Sequence, residues 1–89
     1  MRLDQFLNST NILKRRSLAQ DMCNNQAVLL NGKVAKSAKE VKVGDVITLI
    51  FLDSQEDYTI LALPSTKTIP KSQSHLYFLK GKMQKENND

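Results

Sequence analysis

The spacing of apolar residues predicts two short helices at the start of the chain. Leu3, Phe6 and Leu7 follow the i, i+3, i+4 pattern of one helical face, which predicts a helix over about 2–8. The segment "NSTN" has turn composition and ends it. A second apolar stripe predicts a helix from 14 or 15 to 24, stopped by "NNQ". The residues of that stripe are Leu18, Ala19, Met22 and Cys23.

From residue 27 onward the apolar residues are consecutive and often β-branched, which is typical of strands. "AVLL" at 27–30 predicts one strand, and the Asn-Gly pair that follows it is a strong hairpin signal. "VITLIFL" at 46–52 predicts a buried strand. After a polar loop, "DSQED" at 53–57, "YTILAL" at 58–63 predicts its antiparallel partner. Two helices followed by a small antiparallel sheet predict an α+β fold, with the helices packed on one side of the strands.

The composition changes at Pro64, so we predict a domain over 1–63 followed by a linker and C-terminal tail over 64–89. The first part of this tail is rich in proline and hydroxyl side chains. "HLYFLKGKM" at 75–83 is apolar again. It could dock as a short helix or strand, or bind a partner. The final "QKENND" is predicted to be disordered.

The aromatic residues are few, and the apolar pattern assigns most of them to packing. Phe6 and Phe51 lie within apolar runs and are predicted to be core. Tyr77 and Phe78 are predicted to pack on the domain, with stacking on a base or a protein partner as the alternative. The position of Cys23 on the apolar stripe also predicts packing.

Composition excludes several classes of protein. The 89 residues suffice for one small domain. No apolar run approaches the roughly 20 residues that span a bilayer, and no secretory signal is evident. A single cysteine is compatible with a reducing cytoplasm. Cys23 and His75 do not supply the four ligands of a zinc site, and the chain contains no glycine-rich phosphate loop or nucleophile–base arrangement. We therefore predict no enzyme activity, no cofactor and no metal.

Charge is distributed unevenly, although the net charge is only +4. Residues 1–52 contain eight cations and four anions, whereas 53–89 contain five of each. All of the excess positive charge therefore lies in the first part of the chain. This asymmetry favours a polyanion partner, and solubility alone is the alternative.

Two groups of cations are candidates for anion binding. Lys14, Arg15 and Arg16 stand where the second helix is predicted to begin, an end that already carries partial positive charge. A bound phosphate would turn that repulsion into attraction, and arginine can hold it through two hydrogen bonds. The second group follows the hairpin signal at a spacing of three residues. It consists of Lys33, Lys36, Lys39 and Lys42. A solvated helix start and a solvated loop are the alternatives.

Arg2 and Asp4 admit two interpretations. They could form an ion pair or a helix cap, which is worth little if exposed. Arg2 could instead join the basic face.

Four motifs in order are similar to a known family. "RLDQFL" at 2–7, "KRRSLAQDM" at 14–22, "VLLNGKVAK" at 28–36 and "VKVGDVITL" at 41–49 together resemble the S-four RNA-binding domain, also called the alpha-L motif. The resemblance covers about 1–52. It implies two helices packed on a small sheet, with a basic face that binds structured RNA. Carried over by position, the RNA-binding residues would be Arg2, Lys14, Arg15, Arg16, Lys33, Lys36 and Lys39.

Within this family the chain resembles small stand-alone members that act on the ribosome. The resemblance implies ribosomal RNA, P-site transfer RNA and the large ribosomal subunit as partners of a monomer. The lysine-arginine-arginine run and the short tail favour the ribosome-quality-control type. That type would also imply the factor that recruits alanyl-transfer RNA and extends a stalled chain with alanine. A heat-shock-type ribosome binder, or an adaptor acting through the tail, remains the alternative.

One position departs from the family pattern. Family members commonly carry glycine just before the first strand, often with a basic residue after it. This chain has Gln26 and Ala27 there. Glycine suits a positive backbone φ angle, so either Gln26 or Asn25 is expected to adopt one. No RNA contact is assigned to Ala27.

Overall fold

A five-stranded antiparallel sheet with two helices forms the architecture of the computed structural model, which describes residues 1–65 and 69–81. The helices are α1, Leu3–Ser9, and α2, Arg16–Asn24. The strands are β1, Val28–Leu30; β2, Lys33–Val34; β3, Val46–Ile50; β4, Gln55–Ile60; and β5, Phe78–Lys80, which follows a 3-10 helix, Lys71–Leu76. Their order across the sheet is β2-β1-β3-β4-β5. The α+β fold class predicted from sequence is confirmed.

The core lies between α1 and the sheet. Leu3, Phe6 and Leu7 of α1 are fully buried, as their spacing predicts. They belong to one apolar cluster with strand residues such as Val28 and Ile47. Burial of side chains of this size contributes about 2 kcal/mol each. The apolar face of α1 therefore makes a large contribution to the core of the N-terminal part.

The second helix contributes a narrower apolar stripe than the sequence predicts. Ala19, Met22 and Cys23 are buried, but Leu18 is 43% exposed. The three buried residues have the i, i+3, i+4 spacing that defines the packed face, and Leu18 lies about 100° from Ala19 around the helix. Packing of Cys23 is confirmed, whereas the assignment of Leu18 to the buried stripe is wrong.

The connections around β1 use positive φ angles. Asn31 and Gly32 have φ values of 52° and 85°, and Leu30 pairs with Lys33. This is the two-residue hairpin that the Asn-Gly pair predicts.

Between α2 and β1, Gln26 adopts φ 61°, whereas Asn25 has φ −88°. The Ala27 N–H donates to the Met22 carbonyl at 2.8 Å, and the Gln26 N–H donates to the Cys23 carbonyl at 3.0 Å. These two bonds form a Schellman motif, in which the residue after the cap takes the left-handed conformation. Of the two positions expected to adopt a positive φ angle, Gln26 is therefore the one that does so.

The β3–β4 hairpin corrects two predictions. Strand β4 spans Gln55–Ile60 rather than 58–63, and the connecting turn is shorter than the predicted polar loop. The polar start of β4, residues 55–57, pairs with residues 48–50 of β3, and Thr48 Oγ1 donates to Asp57 Oδ1 at 2.6 Å. Phe51 lies in the turn and is 37% exposed, so its assignment to the core is wrong. The polar residues belong to β4 because backbone pairing, and not side-chain polarity, determines where this strand begins.

The segment after residue 69 packs on the domain. Strand β5 pairs with β4, and Phe78 contacts Tyr58 edge to face with ring centroids 5.4 Å apart. The Asn11 side chain donates to the Ile69 carbonyl at 3.0 Å and to Ser74 Oγ at 2.9 Å. Packing of Phe78 is therefore confirmed.

Of the alternatives for the apolar segment 75–83, its described part docks as the end of the 3-10 helix and a strand. The division after residue 63 stays a prediction. The tail "QKENND" lies outside the described residues. Within the described ranges, neither α-helix has the length and apolar character needed to cross a bilayer.

Candidate nucleic-acid interface

A buried carboxylate connects the two helices. Asp4 is fully buried on α1, yet three side chains reach it. Arg2 Nε lies 3.3 Å from Oδ1, Arg16 Nε lies 3.3 Å from Oδ2, and Gln20 Nε2 donates to Oδ2 at 3.0 Å. Because Arg16 and Gln20 belong to α2, this one carboxylate links the second helix to the first.

The environment of Asp4 keeps it ionised. Burial by itself would raise the pKa of Asp4. The hydrogen bonds from Gln20 and Arg16, together with the charges of Arg16 and Arg2, outweigh burial and hold that pKa below its ordinary value of 3.8. Asp4 is therefore a fixed negative charge at neutral pH.

The two arginines remain open to solvent although they are paired. The Arg2 and Arg16 side chains are 45% and 43% exposed. Each guanidinium approaches Asp4 through Nε and one terminal nitrogen, so its other terminal nitrogen is not engaged with this carboxylate. Two cations share one anion, which leaves a net charge of +1. The carboxylate orients the guanidinium planes without neutralising them, and oriented planes suit bidentate phosphate binding.

The loop over 35–45, between β2 and β3, is fixed to the start of α1 by backbone hydrogen bonds; we call it the lysine loop. The Leu3 N–H donates to the Lys39 carbonyl at 2.8 Å, and the Asp4 N–H donates to the Ser37 carbonyl at 3.1 Å. Arg2 forms an isolated antiparallel bridge with Glu40. These bonds satisfy N–H groups that a helix start otherwise leaves unpaired. They also place Arg2 beside the loop that carries Lys36 and Lys39.

A second buried carboxylate supports the hairpin and the loop. Asp45 is 6% exposed. It accepts hydrogen bonds from Asn31 Nδ2 and from the Lys42 N–H, both at 3.0 Å. Asn31 Oδ1 accepts the Val46 N–H at 2.9 Å. The donors to Asp45 are neutral, so this carboxylate orders the turn and takes no lysine from the surface.

Three of the lysines border one open cleft of about 800 Å³. We call it the lysine cleft. Its lining consists of Leu30, Asn31, Lys33, Val34, Ala35, Lys36, Ala38 and Lys39. No acidic side chain lines it. The lysine cleft lies at the β2 edge of the sheet.

The exposed cations Lys14 and Arg15 precede α2 and do not belong to it. The helix begins at Arg16, with Arg15 as its extended N-cap and no side-chain cap. Asn8 Nδ2 of α1 donates a hydrogen bond to the Lys14 carbonyl oxygen at 3.2 Å. Within the described residues, the N–H groups of 16–18 have no protein acceptor, so this helix start is open to an anion.

The structure thus links five of the seven predicted RNA-binding residues in one chain of contacts. Arg16 and Arg2 meet at Asp4, and Arg2 adjoins the loop that carries Lys36 and Lys39. These two lysines line the lysine cleft together with Lys33 of β2. Lys14 and Arg15 are connected to this group through sequence adjacency to Arg16 alone. Lys42, the last lysine of the predicted series, does not line the cleft.

The sequence pattern does not reveal the central role of Asp4. It suggests a pair with Arg2 but not the bonds from Arg16 and Gln20. A signal was available, because Asp4 stands three residues before Leu7 and therefore close to the buried face of α1. A buried carboxylate requires partners, which had to come from elsewhere in the chain.

The thiol of Cys23 is poorly suited to nucleophilic chemistry. Burial, with the charge of Asp4 as the smaller cause, raises the pKa of Cys23 to about 11, so its thiol is protonated at neutral pH. Among residues 1–65 and 69–81, no three His, Cys, Asp or Glu side chains come together as a metal site. The absence of a metal requirement stays a prediction.

Comparison with known proteins gives a consistent result. The sequence model of the S4 domain matches residues 1–47. The chain is 56% identical over 77 residues to the RQC P-site tRNA stabilizing factor of Helicobacter pylori strain J99, covering 86% of this chain and 92% of that protein. It is 37% identical over 81 residues to the protein of the same name from Halalkalibacterium halodurans, covering 90% of each.

Two solved structures are also similar. The solution structure of a hypothetical protein, HP1423, has a TM-score of 0.81 at 50% identity and covers 94% of this chain and 100% of that one. The trimeric structure of Vibrio cholerae Heat Shock Protein 15 has a TM-score of 0.81 at 27% identity. That match covers 91% of this chain and 81% of the other.

Proposed function

This chain belongs to the S4 domain family, and on that basis we propose that it is a non-enzymatic RNA-binding protein of the large ribosomal subunit. It binds ribosomal RNA and P-site transfer RNA during quality control of stalled ribosomes. There it steadies peptidyl-transfer RNA while a partner factor recruits alanyl-transfer RNA and extends the stalled chain with alanine. It acts as a monomer in the cytoplasm, where ribosomes work. The names of its relatives support the part of this role that concerns P-site transfer RNA and quality control.

The observation that carries the proposal is the continuity between the Asp4-centred arginine pair and the lysine cleft. Arg2 and Arg16 present oriented, partly exposed guanidinium groups. Lysines at the cleft rim add attraction over longer distances without reading bases. Such a surface recognises the spacing of phosphates in folded RNA, and its affinity must fall as salt rises because counterions are released on binding.

Charge-removing variants test this interface. We expect Lys36→Ala to weaken binding to ribosomal RNA fragments or isolated large subunits. It should also reduce the slope of log affinity against log salt by roughly one unit if it removes one phosphate contact. Fluorescence anisotropy at four or five salt concentrations measures both quantities.

Lys80→Ala is the matched control, since it also removes one lysine. Lys80 lies on β5, at the other edge of the sheet from the lysine cleft, roughly 19 Å away by strand spacing. Binding that does not respond to salt, or equal losses in Lys36→Ala and Lys80→Ala, would contradict the proposed interface.

Arg16→Ala tests the guanidinium pair and requires a check on folding. It should weaken RNA binding, but it also removes one of the donors to Asp4. Arg16→Lys retains the charge and lacks the planar fork, so it separates bidentate binding from charge alone. Intermediate affinity for Arg16→Lys, with a melting temperature close to that of the unmodified protein, is the expected result. Equal affinities of Arg16→Lys and the unmodified protein would exclude a special role for the guanidinium.

A second candidate function is a general ribosome-associated heat-shock-type factor, which the similarity to Heat Shock Protein 15 favours. Sedimentation of a tagged copy in cell extract discriminates between the two. Quality control predicts co-sedimentation with free large subunits that carry transfer RNA. Binding to large subunits irrespective of transfer RNA supports the heat-shock type, and sedimentation with neither contradicts both.

A further inference from the structure

The lysine cleft has an apolar floor that phosphate binding does not require. Leu30 and Ala35 form a buried base and are each 7% exposed. Val34 and Ala38 are exposed at the same cleft, and Val34 is 55% accessible. Lysine ammonium groups alone would suffice to hold phosphates. Aliphatic side chains exposed among them provide a surface for a flat, weakly polar group.

The charges around this floor select the class of occupant. Lys33, Lys36 and Lys39 line the cleft and no carboxylate does, so the occupant is anionic at its edges and apolar at its centre. A nucleotide has this combination, with a base between two phosphates. In a paired helix the faces of the base are covered by its neighbours, so only an unpaired base can enter such a cleft.

The hydrogen-bonding groups of the lining indicate how the base is recognised. Asn31 has the only side-chain amide in the cleft. Its Nδ2 donates to Asp45 and its Oδ1 accepts from the Val46 N–H, so each end of the amide is fixed by one bond within the turn. Apart from the Asn31 amide and the lysine ammonium groups, no side chain of the described lining has a polar group to read a base edge. Contact with the apolar floor therefore depends on the shape of the base, and we expect any of the four RNA bases to bind there.

We propose that the lysine cleft receives one unpaired, extruded base of a folded RNA, with the flanking phosphates on Lys33, Lys36 and Lys39 and without selection for base identity. This inference rests on the proposed RNA-binding function and names the RNA feature that the cleft takes. In this proposal the arginine pair binds the phosphate backbone of a paired RNA stem, and the lysine cleft binds a base that has left that stem.

Two RNA hairpins test the proposal. They have the same number of nucleotides, but one carries a single-nucleotide bulge and the other is fully paired. We expect the protein to bind the bulged hairpin more tightly in fluorescence anisotropy. A 2-aminopurine at the bulge should brighten on binding because the base leaves the stack. Exchanging the bulged nucleotide among the four bases should change affinity by less than about twofold, since identity is not read.

Val34→Ser removes the exposed apolar contact and leaves all charges in place. It should lower affinity for the bulged hairpin about fivefold, with no change in affinity for the paired hairpin or in the salt slope. Val43→Ser is the matched control, because Val43 is 59% exposed and lies outside the cleft. Ala38→Leu fills the cleft from another exposed position and should produce the same selective loss. Agreement between two surface variants excludes misfolding as the cause.

Each other outcome overturns a defined part of the argument. Equal binding of both hairpins, unchanged by Val34→Ser, would refute the base-binding cleft and leave the proposed function standing. A strong preference for one base would refute recognition by shape. If Val34→Ser abolished sedimentation with large subunits but retained bulge preference, the cleft would bind protein instead. Failure to bind either hairpin or large subunits at low salt would refute the proposed function itself.

Discussion

At the scale of single residues, one carboxylate organises the cations of the N-terminal part. Asp4 is fully buried, accepts from Gln20 and contacts the guanidinium groups of Arg2 and Arg16. The unfavourable burial of its charge is offset by these donors, which are held in place in return. A predicted binding surface therefore depends on a residue that does not itself reach the surface.

Asp4→Asn tests this role through the pH dependence of stability. At pH 7 we expect a loss of about 2 kcal/mol in the free energy of unfolding, because charge-assisted hydrogen bonds are lost. The folded-state pKa of Asp4 lies below its ordinary value. Its contribution is therefore present above about pH 4 and disappears as the pH falls through the folded-state pKa. Urea titrations at pH 7, 5 and 3 measure the difference between variant and unmodified protein.

The control for this prediction is Asp53→Asn, at an exposed position in the β3–β4 turn. It should change the free energy of unfolding by less than about 0.5 kcal/mol at every pH. A constant difference between Asp4→Asn and the unmodified protein from pH 7 to pH 3 would show that the Asp4 charge does not stabilise the fold.

At the scale of elements, the turns between helices and strands determine much of the fold. The hairpin after β1 is built from Asn31 and Gly32 in left-handed conformations, and Asp45 supports it from the opposite turn. The helix α2 ends in a Schellman motif that uses Gln26 where glycine would be unstrained. The chain tolerates this strain because the hydrogen bonds of the motif and the start of β1 determine the backbone on both sides.

Gln26→Gly should therefore stabilise the protein. A non-glycine residue in the left-handed region costs about 1 to 2 kcal/mol, and the flexibility of glycine in the unfolded chain costs about 0.5 to 1 kcal/mol, so the free energy of unfolding should rise by about 0.5 to 1 kcal/mol. Asn25→Gly is the adjacent control, since Asn25 has φ −88° and gains nothing from glycine. Thermal or urea denaturation of the two variants should give changes of opposite sign. A loss of stability in Gln26→Gly would show that the positive φ angle of Gln26 does not destabilise the protein.

At the scale of the whole molecule, the sheet joins the N-terminal part to the segment after residue 69. Strand β5 extends the sheet beside β4. Asn11, just after α1, donates hydrogen bonds to the Ile69 carbonyl oxygen and to Ser74 Oγ. Deleting residues 64–89 would therefore remove a strand as well as a tail. Loss of a partner in that deletion would not by itself establish an adaptor function.

Phe78→Ala tests the contribution of this segment with a single change. Phe78 is half-buried against Tyr58, so we expect the free energy of unfolding to fall by about 2 kcal/mol. RNA affinity should remain unchanged where the variant is folded, because β5 and the lysine cleft lie at opposite edges of the sheet. Leu79→Ala, at a 44% exposed position of the same strand, is the control and should cost less. A folded Phe78→Ala protein with weakened RNA binding would place this segment in the interface.

The local pattern of the sequence by itself determined α1, α2, the β1–β2 hairpin and the family. These features depend on helical periodicity and on turn residues with few allowed conformations, both of which act over a few positions. The family resemblance found in four ordered motifs is confirmed by the S4 domain match. The family resemblance, carried over by position, gave the seven candidate cations, whose role in RNA binding stays a prediction.

The tertiary structure alone decided features that depend on distant partners. The start of β4 follows from pairing with β3, and the exposure of Phe51 follows from its place in the turn. The bonds from Arg16 and Gln20 to Asp4 span 12 and 16 positions along the chain, and those from α1 to the lysine loop span more than 30. Neither periodicity nor propensity describes contacts over such separations. They form because burying α1 against the sheet brings a charged side chain and unpaired N–H groups to places where only remote residues can satisfy them.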